Sequence, residues 1–200
     1  GYAPTFAALA GLPHLTGYPD WPPSNFMGSI DLRSAATAAF VILAALYHRE
    51  QTGQGQYIDM SSMEAIAAFS GDILLDFVLN GRNQSRKGNR EDSMAPHNCY
   101  PCKGEDRWVS IVVSNEEEWK RLCSAMGRPE LADDPRFVSL EKRKAHEEAL
   151  DEIISAWTRT LEDYQAMEIL QQEGVAAAPS LTSETLFSDP HVQARGVFRQ

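Results

Sequence analysis

Between Asp31 and Gln51 the apolar positions Ala35, Ala38, Ala39, Ile42, Leu43 and Leu46 recur at helical spacing, predicting a helix that is apolar on most of its sides. Such a helix is expected in a core, where its small residues let neighbouring backbones approach closely. Ahead of it, Tyr2, Phe6, Leu9 and Ala10 keep a helical period until Pro13, Gly17, Pro19, Pro22 and Pro23 break any regular element. Behind it, Thr52-Gly53-Gln54-Gly55 reads as a stop. Gln56 to Met60 then alternates as a short strand, Tyr57 and Asp59 facing opposite to Ile58. Ser61 and Glu64 have the spacing of a capping box and open a helix that runs to about Asn80 and ends at Gly81.

From residue 81 to 98 the chain carries glycine, asparagine and charge without periodicity, so it is read as a linker or functional loop. Beyond it Cys99 to Lys103 and Arg107 to Val113 form a hairpin around Gly104-Glu105-Asp106. Trp108, Ser110 and Val112 face one side, and Val109, Ile111 and Val113 the other. Ser114 to Glu117 again has capping-box spacing, ahead of a helix that groups Trp119, Leu122, Cys123 and Met126 and stops at Gly127. A second helix opens at Ser139 to Lys142 and buries Leu150, Ile153, Ile154 and Trp157. A third opens at Thr160 and Asp163, ends at Gly174, and is followed by a strand from Val175 to Ala178. The fold class is thus α+β and mostly helical, with a small α+β unit and a short antiparallel sheet in the second half.

With 43% hydrophobic residues in 200, the chain can bury one sizeable core or two small ones. A net charge of −10 opposes phosphate backbones and anionic lipid, which argues against nucleic acid and membrane as partners and requires any anionic ligand to meet a local basic patch. The apolar stretch Ala35 to Tyr47 is shorter than a membrane span needs, no basic-then-apolar leader opens the chain, and three cysteines fit a reducing compartment. A cytoplasmic protein is expected. Gly1 stands where an initiator methionine would, and the pattern stops abruptly at Gln200, so further chain is expected at both ends.

Cys99 and Cys102 have the spacing of half a metal site, but no second pair follows, and a strand puts residues three apart on opposite faces, so no metal is expected. Among the scattered histidines, His97 lies in the unpatterned loop, where a packing role and a site role are both open. Gly53-Gln54-Gly55 lies between a helix and a strand and reads as a turn, since a phosphate loop joins a strand to a helix. Arg82, Arg86, Lys87 and Arg90 place four cations in one loop with no acid between them, either a solvated loop or an anion contact. Asp31, at the junction of a proline-broken segment and an apolar helix, is either a helix-capping acid or a carboxylate held in a partly desolvated pocket.

The run Arg49-Glu50-Gln51-Thr52-Gly53-Gln54-Gly55-Gln56-Tyr57-Ile58-Asp59-Met60-Ser61, with Asp31 and the alanine-rich helix before it, resembles the signature of the family III CoA-transferases. That group includes formyl-CoA and carnitine-CoA transferases and methylacyl-CoA racemases. The resemblance continues through Gly88-Asn89, Ala95-Pro96, Tyr100 to Gly104, Asp134 to Phe137, Gly174-Val175 and Asp189-Pro190. In the family a catalytic aspartate precedes the arginine of this run by one long helix, and Asp31 is the matching position. The resemblance implies a partial large, Rossmann-like domain over residues 1–80, a linker and active-site loop over 81–98, a small domain over 99–182 and a return segment over 183–200.

It further implies that CoA moves between carboxylic acids through an aspartyl anhydride and an aspartyl-CoA thioester on Asp31. The backbone amides of Gly28 and Ser29 would stabilise oxyanions, and Arg82, Arg90, Met94 and His97 would line the acyl or CoA site. CoA is then a co-substrate, with no permanently bound cofactor, and acyl-CoA and a carboxylic acid are the small-molecule partners. The family's interlocked dimers imply a homodimer. Where formyl-CoA transferase has a run of glycines over its active site, this chain has Asp92-Ser93-Met94-Ala95, so no glycine lid is carried over. Two alternatives stand beside the transferase: an acyl-CoA racemase or lyase of the same family with Asp31 as acid or base, and a catalytically silent, self-associating module lacking the CoA-binding half.

Overall fold

Capping side chains and left-handed glycines set the limits of most elements. The computed structural model describes residues 2–24 and 29–198. The helices of the first part are α1 (Ala3–Leu9), α2 (Leu12–Leu15), α3 (Ser29–Thr52), α4 (Ser62–Ala67) and α5 (Gly71–Asn80). There follow β1 (His97–Pro101), β2 (Trp108–Val112), α6 (Glu116–Ala125), α7 (Leu140–Ala145), α8 (Glu147–Thr158), α9 (Asp163–Gln172), β3 (Ala176–Pro179), α10 (Ser183–Ser188) and α11 (Pro190–Ala194). The chain divides into two compact units, Gly1–Gly88 and Asn89–Gln200.

The second unit closes around its own core. Its antiparallel sheet has the order β1-β2-β3, with Tyr100 opposite Val109 and Ile111 opposite Ala177. Val109, Ile111 and Val113 point inward as the alternation predicts and are almost fully buried. They meet Trp119, Leu122 and Cys123 of α6, Leu150 and Ile154 of α8, and Ala166 and Leu170 of α9. Asn115, one residue later than the sequence reading places it, caps α6 by accepting the Glu118 amide at 2.9 Å, while Glu118 takes the Ser114 amide in return. The helix opening at Ser139 is interrupted at His146, whose backbone leaves the helical range at φ −126°, giving α7 and α8.

The first unit buries little. Its core is Ala7, Ile30 and Ile66, with Phe6 and Leu12 packed against it. Pro13 does not end regular structure; it sits at the start of α2, where its missing N–H costs nothing. The helix predicted from Asp31 to Gln51 is present and slightly longer, but it is not a core helix in this chain: only Ile30 is buried. Leu32 and Phe40 are each 73% exposed, and Leu43 and Tyr47 each 66%. At 24 residues it is long and apolar enough by length and composition to cross a membrane, which corrects the shorter span read from Ala35 to Tyr47. Gln56 to Met60 forms no strand; it is irregular, with no ladder partner among the described residues, and Tyr57 is 93% exposed. Ser61 caps α4 by accepting the Glu64 amide at 3.3 Å. The single helix expected from there to Asn80 is broken by a tighter turn over Ala68–Ser70.

Candidate active site

Asp31 lies in the first turn of α3, exposed, at the end where the helix presents unsatisfied amides and a partial positive charge. Ser29, the first helical residue, is half-buried beside it. Gly28 lies outside the described residues. One turn on, the Ser34 hydroxyl is buried without a hydrogen-bond partner among the described residues, and the Arg33 guanidinium covers the Phe69 ring at 5.2 Å. The Asp31 end therefore carries an acid, a hydroxyl and a cation within two turns.

The Arg49 to Ser61 run is not part of that end. At 1.5 Å per residue Arg49 sits about 27 Å along the helix axis from Asp31. Gly53, at φ +72°, closes α3 by donating to the Arg49 carbonyl at 2.8 Å, and the Gln54 amide is held by Thr52 Oγ1 at 3.2 Å. Residues 55–58 then fold back over Ile42, Leu46 and Arg49, enclosing a cleft of about 190 Å³. The run that is most distinctive in sequence thus shapes the far end of the helix.

Three of the four loop cations, Arg82, Arg86 and Arg90, have protein partners of their own. Arg82 pairs with Asp76 at 2.6 Å. That carboxylate, 10% exposed, also accepts Asn80 Nδ2 at 2.7 Å and Gln84 Nε2 at 2.8 Å. These hydrogen bonds, led by Asn80, lower its pKa to about 2. Arg86 donates to the backbone carbonyls of Tyr18 and His14. Arg90 belongs to the other unit and bridges Glu147 and Asp151 of α8, at 3.4 Å to each.

Around Arg90 the turn from Asn89 to His97 is anchored at nearly every step. Lys144 Nζ holds the Glu91 carbonyl at 2.7 Å, Glu91 and Met94 form an isolated bridge, and Arg143 Nε holds the Ala95 carbonyl at 2.8 Å. His97 Nδ1 bonds the Asn89 carbonyl, and Asn89 Nδ2 donates to Asn98 Oδ1 at 3.2 Å. His97 thus has a packing role in this turn, and Met94 is half-buried within it. Tyr100 Oη donates to Asp151 at 2.7 Å; burial and the Asp151 charge push its pKa well above 10, so it stays a donor. Cys99 lies 3.1 Å from Ser110 Oγ, and burial pushes the Cys102 thiol up to about 11.

The sequence profile described as CoA-transferase family III matches residues 1–200. The chain belongs to this family.

Among curated relatives, this family III chain is 36% identical over 196 residues to the succinyl-CoA–D-citramalate CoA-transferase of Chloroflexus aurantiacus, covering 98% of this chain and 48% of that protein. It is 32% identical over 189 residues to the succinyl-CoA:mesaconate CoA-transferase of Haloarcula hispanica, covering 94% and 46%. Among solved structures it is similar to a CaiB/BaiF family protein from Brucella suis, with a TM-score of 0.86 at 27% identity, covering 98% of this chain and 52% of that one. The chain spans about half the length of the curated relatives it matches.

Within the family III chain, the sequence reading missed Arg143, Lys144, Glu147 and Asp151, which hold the 89–97 turn from α7 and α8. The one signal on offer was the placing of Lys144, Glu147 and Asp151 at steps of three and four along a helical segment, which puts them on one face. Nothing in that spacing names the turn as their target.

Proposed function

We propose that this chain carries the nucleophile of a CoA-transferase and that the nucleophile is Asp31. The observation that carries the reading is the position of Asp31 in the first turn of the long helix that ends in the family's Arg49 to Ser61 run. The carboxylate stands exposed there, where a thioester can reach it. One of its oxygens attacks the thioester carbonyl; the C–S bond breaks and CoA leaves as thiolate, giving a mixed anhydride. The thiolate then attacks the aspartyl carbonyl and releases the donor carboxylate. The acceptor carboxylate repeats the exchange in reverse, ending with new acyl-CoA and free Asp31. The amides of Gly28 and Ser29 would stabilise the tetrahedral oxyanions.

CoA is a co-substrate in this reading, and no permanent cofactor enters. The named relatives make succinyl-CoA and a short dicarboxylic or hydroxy acid the first pair to assay. A cytoplasmic homodimer completes the proposal, the remaining chain and the second copy covering the apolar side of α3.

Trapping tests it. The full gene product is turned over with succinyl-CoA and acceptor in the presence of hydroxylamine, and the Asp31 peptide is analysed by mass spectrometry. A hydroxamate on Asp31, lost in Asp31→Asn together with activity by on the order of 10³-fold or more, is the expected result. Turnover without modification overturns the covalent route and leaves Asp31 as an acid or base of a racemase or lyase. Calorimetry with CoA on the 200-residue chain alone decides the silent-module alternative, since tight binding by that chain rules it out.

A further inference from the structure

The hydroxyls along α3 are not satisfied alike. Thr37 Oγ1 donates to the Arg33 carbonyl at 3.0 Å and Thr52 Oγ1 to the His48 carbonyl at 2.8 Å, the usual way for a helix to pair a hydroxyl four residues back. Ser34 Oγ makes no such bond to the Ile30 carbonyl; it is buried and without a partner among the described residues. A buried hydroxyl left unpaired costs stability, and alanine would fill nearly the same space without that cost. Its place on the helix supplies a reason for it. At 3.6 residues per turn Ser34 stands about 60° round the axis from Asp31 and about 40° from Ile30. It therefore lies between the exposed carboxylate and the residue that packs into the core with Ala7 and Ile66. Side chains three apart on a helix have Cβ atoms roughly 5–6 Å apart, a gap that the Ser34 O–H and an Asp31 carboxyl oxygen can close by rotating about χ1. Asp31, once acylated, presents a carbonyl oxygen that gathers negative charge each time a thiolate or carboxylate attacks its carbon. The unpaired O–H is a donor one turn away, on the side of Asp31 shielded from water, where a hydrogen bond to developing charge is worth most.

We propose that Ser34 is an oxyanion donor to the Asp31 nucleophile. Its O–H bonds to the carbonyl oxygen of Asp31 in the anhydride and in the CoA thioester, and the bond strengthens as that oxygen becomes negative in the tetrahedral intermediate. The C–O and C–S bonds form and break at the Asp31 carbonyl carbon, and Ser34 keeps its proton throughout. This role rests on the covalent reading of Asp31 and adds a side-chain donor to the backbone amides of that reading.

The test uses the full gene product as wild type, Ser34→Ala, Ser34→Thr and Thr37→Ala, with succinyl-CoA and the acceptor that the wild type turns over. Steady-state transfer, urea unfolding and hydroxylamine trapping on Asp31 are measured for each. Ser34→Ala should lose roughly 10²-fold in kcat with KM within about threefold, since the bond gains its strength only as charge develops. Its urea midpoint should equal or exceed that of wild type, because an unpaired hydroxyl has been removed. Ser34→Thr, which keeps the O–H, should recover most of kcat. Thr37→Ala, whose lost hydroxyl was bonded within its own helix, should stay within about threefold of wild type. Unchanged kcat in Ser34→Ala overturns the donor role. A fall in kcat that comes with a lower urea midpoint, that Ser34→Thr does not relieve or that Thr37→Ala shares assigns Ser34 to packing and overturns it as well. A wild type that turns over without a hydroxamate on Asp31 removes the covalent reading and this role with it, whereas failure of the role alone leaves the wild-type hydroxamate in place.

Discussion

Arg143 holds Glu116 with both arms of its guanidinium, at 2.8 and 2.9 Å, although Arg143 is 1% exposed and Glu116 is 52% exposed. The same guanidinium lies over the Trp119 ring at 5.2 Å and donates to the carbonyls of Ala95 and Phe137. One side chain thus joins α6, α7 and the entry to β1.

Arg143→Ala should therefore be among the most damaging single substitutions in the second unit. It strands two buried carbonyls and opens a void beside Trp119, for a loss of roughly 3–5 kcal/mol. Urea unfolding followed by tryptophan fluorescence, to which the buried Trp119 contributes, measures it. Arg143→Lys, which has no fork, should recover less than half of the loss. A variant as stable as wild type would show that the packing does not depend on this contact.

Glu116 gives the same pair a pH signature. The Arg143 hydrogen bond holds its carboxyl below the ordinary 4.5, so the unfolded chain takes up this proton at higher pH than the folded one. The pair's contribution is then complete above that ordinary value and fades as pH falls through the lower folded value. Comparing wild type with Glu116→Gln by urea unfolding at a series of pH values, the stability gap should be constant at neutral pH and narrow below about pH 4.5. A gap that stays constant through acid would contradict the assignment.

Gly88 and Gly17 meet where the first unit ends. Gly88 sits at φ +67°, its amide bonds the Gly17 carbonyl at 2.9 Å, and a Cβ there would lie 3.0 Å from the Tyr18 ring. Gly88→Ala should cost about 1–2 kcal/mol from the left-handed backbone alone, with the ring contact added. Limited proteolysis between residues 81 and 96 reads the effect, cleavage being faster in the variant.

The 200-residue chain taken by itself should associate through α3. Phe40 and Leu43 are neighbours on one face and largely exposed, a patch that water penalises. Sedimentation velocity should show concentration-dependent oligomers, shifted toward monomer by Phe40→Glu with Leu43→Glu. A wild-type chain that stays monomeric across the accessible concentration range would remove this expectation.

The second half of the fold was readable because each element carries a local signature that its own unit satisfies. The alternation over Trp108–Val113, the stripe from Trp119 to Met126 and the stop at Gly127, at φ +68°, all describe contacts made within that unit. The first half was read less well for the opposite reason. The α3 pattern fixes a helix but does not say what covers it, and Gln56 to Met60 alternates like a strand yet finds no neighbour to pair with. The partners of the loop cations were legible to different degrees. Asp76 precedes Arg82 by less than two helical turns, whereas Glu147 and Asp151 lie far beyond Arg90 in sequence, and composition cannot reveal such a partner. Asp31 is the residue that the family resemblance marks most clearly, and it stands exposed in the first turn of α3.

The outward-facing apolar side of α3 also divides the chain by the order of its folding reaction. Residues of the second unit reach their core by collapse within one chain, a first-order event indifferent to how much protein is present. Ordering of α3 against a covering surface on another chain would be second-order, so the Asp31 end would order at a rate that rises with protein concentration, and dilute samples would hold a well-formed second unit beside an uncovered α3.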